Sequence, residues 1–134
     1  MNFDEFIGQV QSRGRMASQD EALKATRATL GVLGQRLAGG EASDLAAQLP
    51  EEIARFLHSD GGTGERFDLD EFFRRVSERE GVDLPVSVHH ARAVISVLQE
   101  AVSRGEMQDV RAQLPEDFAP LFEAGSEGEM TRNR

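Results

Sequence analysis

Three sets of residues in this chain are of types that could do chemistry: neighbouring histidines, paired or recurring carboxylates, and two arginines at matching positions. His89 and His90 invite a metal reading. Adjacent residues on a helix point about 100° apart, so they cannot grip one ion as an i, i+4 pair can. His58 lies at the edge of a glycine-rich stretch and is a poor third ligand for a zinc site that needs three or four. The histidines are therefore expected at the surface or half-buried. The stretch from Asp60 to Glu71 has the length of a calcium loop, with acids at its first, ninth (Asp68) and last positions. It fails at its third and fifth positions, Gly62 and Gly64, which carry no side-chain oxygen. It fails again at its sixth, where Glu65 replaces the required glycine. No metal site, cofactor or catalytic residue is assigned from these patterns.

Acid pairs such as Asp4-Glu5, Glu51-Glu52 and Asp70-Glu71 could suggest general acid–base work. Each falls where a helix begins, and carboxylates there stabilise exposed backbone N–H groups. Arg27 and Arg92 recur at equivalent places, as do Glu41 and Glu106, and Asp44 and Asp109. The expectation is an ion pair in each half, tying a long helix to a short one. The sharper alternative makes Arg27 and Arg92 anion or partner contacts. No nucleophile elbow, P-loop, dinucleotide fingerprint or HExxH pattern is present.

Composition narrows the field further. The chain has 134 residues, 24 acids, 15 Lys plus Arg, and a net charge of -9. An acidic balance argues against binding phosphate backbones, and the lack of Trp and Tyr argues against stacking platforms for nucleic acid. With no Cys there are no disulfides or thiolate chemistry. No apolar run is long enough to span a membrane, and the acidic start from Met1 to Glu5 is unlike a signal peptide. A cytoplasmic location is expected. Charge is uneven: residues 12–38 carry +3, from Arg13, Arg15, Lys24, Arg27 and Arg36 against Asp20 and Glu21.

The recurring residues belong to an internal repeat. Leu49-Pro50-Glu51 returns as Leu114-Pro115-Glu116, and Gly40, Glu41, Asp44, Ala47 and Gln48 return 65 residues later. Upstream the offset is 66, carrying Asp4-Glu5-Phe6 onto Asp70-Glu71-Phe72. Such self-similarity points to two copies of one unit. The copies span 1–57 and 67–122, joined by a glycine-rich linker at 58–66 and followed by a disordered acidic tail at 123–134.

Each copy reads as helical. Asn2 with Glu5, Ser18 with Glu21, and Asp68 with Glu71 have capping-box spacing. The stripe Phe3, Phe6, Ile7, Val10 is echoed by Leu69, Phe72, Phe73, Val76. Leu23, Thr26, Leu30, Leu33, Leu37 is echoed by Val88, Ala91, Ile95, Leu98, Val102. The second copy adds Val94, Val97 and Ala101 where the first has Thr29, Val32 and Arg36, so the second long helix is expected to be the central one. Gly39-Gly40 and Gly105 are expected to end the long helices. Short helices over 41–48 and 106–113 follow, then one more behind each of Pro50 and Pro115. The expected fold is all-α: one bundle of about eight short-to-medium helices from two tandem, pseudo-symmetric repeats, since units of about 55 residues bury little alone.

The segments Gly40–Glu51 and Asp109–Glu116, together with Phe67–Val82 and His90–Val94, resemble the bacterial domain-of-unknown-function family 2267. The resemblance covers about residues 1–122. It implies short, helical, duplicated proteins, and no reaction, cofactor or site residue. Gly8, Gly31 and Gly34 lie within expected helices, each at about 1 kcal/mol relative to Ala, which brings the rigidity of the first half into question.

The leading expectation is a non-catalytic helical protein acting through protein–protein contacts, with a protein partner or as a homo-oligomer. Two alternatives stand beside it. One is a small-ligand binder or enzyme with a pocket between the repeats. The other is an acidic nucleic-acid mimic.

Overall fold

The computed structural model describes residues 1–59 and 64–123. The expected disordered tail, apart from Glu123, and the centre of the linker lie outside the described residues. So does Asp60, the first position of the calcium-like loop. Among the described residues there are eight α-helices, one 3-10 turn and no strand. The helices are α1 (Phe3–Gly14), α2 (Gln19–Arg36), α3 (Glu41–Ala46), α4 (Glu51–His58), α5 (Leu69–Glu80), α6 (Leu84–Ala101), α7 (Arg104–Ala112) and α8 (Ala119–Phe122). The 3-10 turn, Glu116–Phe118, leads into α8.

Side-chain chemistry sets most helix starts. The Asn2 side chain accepts the Glu5 N–H at 2.8 Å, and Glu5 accepts the Asn2 N–H in return. Ser18 accepts from Glu21, and Asp68 from Glu71. Glu71 turns its own carboxylate to Arg74 and Arg75. Asp83 begins α6 without a side-chain cap bond, and Pro85 supplies the helical φ in the first turn.

The glycine signals mislead at two places. Helix α2 ends at Arg36 because Leu37 turns extended (ψ 140°) and its side chain enters the core, before Gly39-Gly40 is reached. Helix α6 ends at Ala101 because Val102 does the same. Gly105 then lies inside the first turn of α7, whose N-cap is Ser103, the acceptor for the Glu106 N–H.

The core is one cluster. Helix α2 packs on α1, α4, α5 and α6, while α6 packs on α1, α2, α5 and α8. Leu98 is fully buried, as the stripe requires. The second long helix is not the only central one, however. Thr29, Val32 and Arg36, the more polar row of α2, are buried as well, because α4 and α5 cover that side. Thr26 returns its hydroxyl to the Ala22 carbonyl at 2.8 Å, which lets it be buried in a helix. The Arg36 guanidinium carbon sits 5.8 Å from the Phe67 ring centroid and 5.5 Å from that of Phe118, and Nε donates to the Phe67 carbonyl. Phe72 meets Phe118 edge to face at 5.9 Å.

Candidate functional site

Helix α3 packs against α7, and the contact brings carboxylates together. Glu41 opens α3, and Asp44 follows three residues later. Glu106 lies in the first turn of α7, with Asp109 three residues on. Residues three apart share a helix face. Carboxylate oxygens of Glu41, Glu106 and Asp109 lie within 4.8 Å of one another. Glu106 is 8% exposed, Glu41 half-buried and Asp109 exposed. One oxygen of Glu106 and one of Glu41, Oε2 in each case, is buried without a hydrogen-bond donor.

The electrostatics follow from the crowding. Burial pushes the Glu106 carboxyl up, the hydrogen bond with Glu41 pushes it further, and the charges of Glu41, Asp44 and Asp109 add to both. It reaches about 7, well above an ordinary carboxylic acid. At neutral pH the group can hold a proton, share one with Glu41, or sit ionised beside a cation.

The expected partners of these acids are elsewhere. The Arg27 guanidinium lies over Phe56, 5.5 Å from the ring centroid. Arg92 lies on α6 along an open groove with Arg13, His89 and Ser96. Structure and sequence therefore part here. The recurring acids Glu41 and Glu106 were expected to bond within each half, yet they meet one another. The signal was the 65-residue offset: Glu41 and Glu106 hold matching places in the sequence, and the helices that carry them pack on each other.

The histidines also divide. His89 is exposed and its Nε2–H donates to the Gly14 carbonyl at 2.9 Å. His90 is 4% exposed, neither at the surface nor half-buried. Its Nδ1 bonds Glu80 of α5 and its Nε2 lies 3.3 Å from Glu21 of α2. Burial holds the Glu80 carboxyl above the usual range, against the pull of His90. The acid pairs Asp4-Glu5, Glu51-Glu52 and Asp70-Glu71 occupy first turns of α1, α4 and α5, the placement their capping reading requires.

The +3 stretch does not form one basic face. Arg36 is buried between rings, and Arg13 pairs with Glu100 and donates to Ser96. Arg15, Lys24 and Arg27 remain exposed. A second open groove lies where the end of α2 approaches α7, lined by Arg36, Arg66 and Gln113 among others.

These features define an all-α bundle with buried ionisable clusters between its helices. The chain belongs to the family described as "Uncharacterized conserved protein (DUF2267)", whose profile matches residues 3–121. No curated protein matches it. No helix among the described residues is long and apolar enough to cross a membrane.

Proposed function

We propose that this chain is a non-catalytic helical protein, two tandem copies of one unit, that works by protein–protein contact in a bacterial cytoplasm. The contact is self-association through the start of α6. One observation carries this reading. Leu84 and Val86 are 49% and 41% exposed, and with Met1 they are the exposed large apolar side chains among the described residues. Pro85, exposed between them, makes the whole first turn of α6 an apolar helix end rather than one apolar face.

The surroundings fit a second copy. On one side stands Asp83, exposed and without a cap bond. The groove of Arg13, His89 and Arg92 begins at Pro85 itself. A twofold contact through the apolar centre brings Asp83 of each copy toward the groove of the other. Arg92 is then a partner contact, whereas Arg27 lies over Phe56.

The test is oligomeric state against concentration, by light scattering after gel filtration. A dimer that the Leu84→Ser/Val86→Ser variant loses supports the reading. A monomer at every concentration overturns it.

A small-ligand reading keeps one supporting feature, the open groove with Arg36, Arg66 and Gln113. A nucleic-acid mimic needs carboxylates spread along a face, while Glu41, Glu106 and Asp109 converge on a point.

A further inference from the structure

Two buried carboxylate oxygens without donors need a reason. Glu106 Oε2 and Glu41 Oε2 are both shielded from water and both lack a hydrogen-bond partner. A buried acceptor left unmade destabilises the fold, and more so when charged. Glutamine in either place would give nearly the same shape with a donor of its own. The sequence instead has Glu in both copies, and Asp three residues after each. Carboxylates that converge from two helices, with one oxygen of Glu41 and one of Glu106 buried and bonded to nothing, are arranged as ligands rather than as caps.

We propose that Glu41, Glu106 and Asp109 bind a hard divalent cation of the calcium or magnesium class between α3 and α7. The donor set is oxygen only, which selects such ions over zinc or copper. Calcium takes oxygens at about 2.3–2.6 Å, so oxygens on opposite sides of one ion stand about 5 Å apart. The three carboxylates, with oxygens within 4.8 Å of one another, already surround a space of that size. Asp44 lies near enough for its charge to act on Glu106, and adds to the attraction for a cation. Asp109 is exposed, which gives the ion a way in and leaves room for water to complete its shell.

The bound ion joins one helix of each sequence copy. It would lock α3 to α7 without touching the apolar patch on α6, so this site does not depend on self-association.

The full chain, stripped with a chelator, is unfolded thermally at neutral pH in millimolar calcium, magnesium or manganese chloride. Sodium chloride at matched ionic strength controls for screening. At least one of the three cations raises the midpoint by about 3–6 °C over that control, a shift expected when ligand well exceeds its dissociation constant. Glu106→Gln removes the shift while the variant still melts cooperatively. Should Glu106→Gln fail to fold, the exposed Asp109→Asn makes the same measurement. If none of the cations exceeds the sodium control in the wild type, the proposal is wrong and the carboxylates are held by a shared proton alone. A shift that survives in Glu106→Gln, or in Asp109→Asn where that variant decides, also overturns it, since the ion then sits elsewhere.

Discussion

The side-chain carbonyl of Gln48 accepts the backbone N–H of Ser103 at 2.7 Å, across 55 residues of chain. Its amide also donates to the Ser103 hydroxyl. The same act occurs in reverse: Gln113 accepts the Ala38 N–H at 2.8 Å and donates to the Ala38 carbonyl at 3.1 Å. Gln48 and Gln113 correspond across the 65-residue offset, and so do Ala38 and Ser103. Each glutamine thus ties the end of its own short helix to the turn that follows the other half's long helix. Both sets are solvent-exposed, so each is worth about 1 kcal/mol net. Gln48→Ala and Gln113→Ala should each lower urea stability by that amount, and the double variant by about twice as much. Unchanged midpoints in both would mean that water serves these groups equally well.

The helical glycines separate into two outcomes. A Cβ on Gly34 would stand 2.2 Å from the Leu57 carbonyl oxygen, a backbone atom of α4 that cannot move alone. Around Gly8 nothing lies within 4 Å of such an atom. Gly8→Ala should therefore stabilise the chain by about 0.5–1 kcal/mol through helix propensity. Gly34→Ala should destabilise it despite the same propensity gain, because α2 and α4 must separate. Thermal unfolding of the two variants side by side checks the opposite signs.

These residues show how far the sequence could be read. Helix starts were legible because caps are local: Asn2, Ser18 and Asp68 bond the backbone three residues on. Helix ends were not, because Leu37 and Val102 leave their helices to fill the core, which is a tertiary cause. Gly34 looked like a weakness and is a close approach, visible only once α4 is in place. Glu41 and Glu106 were legible as recurring positions, but their meeting depends on how α3 and α7 pack. Arg27 and Arg92 drew notice by recurring too, and that alone did not place them among the carboxylates.

His90 supports a buried polar junction of three helices. The Glu80 side chain it meets is 1% exposed. His90→Leu leaves that carboxyl buried without its partner and should cost about 3–5 kcal/mol, the usual penalty for breaking a buried pair. Adding Glu80→Leu removes the stranded group and should recover most of the loss, since well-packed apolar pairs often match buried ionic ones. Chemical denaturation of wild type, single and double variants measures this. A double variant as weak as the single would show that His90 acts through Glu21 or through packing instead.

The Glu106 carboxyl makes stability depend on pH in a definite direction when divalent cations are chelated. In the folded chain it titrates near 7, above the 4.5 of a free glutamic acid. The folded state therefore holds a proton that the unfolded state has already lost between these two values. Folding is favoured in full below pH 4.5, and this contribution is lost progressively as pH rises through 7, then stays level. The acidic side of the profile runs the other way. Glu71 is held down to about 2 by hydrogen bonds from Arg74 and Arg75, so its contribution fades as pH falls below 4.5. Glu106→Gln cannot ionise, so its profile should decline less than that of the wild type between pH 5 and 7.5, keeping the part that the raised Glu80 carboxyl contributes. Urea unfolding of both proteins in chelator, stepped through this range, gives the comparison. A parallel decline in the variant would assign the pH dependence to groups outside the α3–α7 contact.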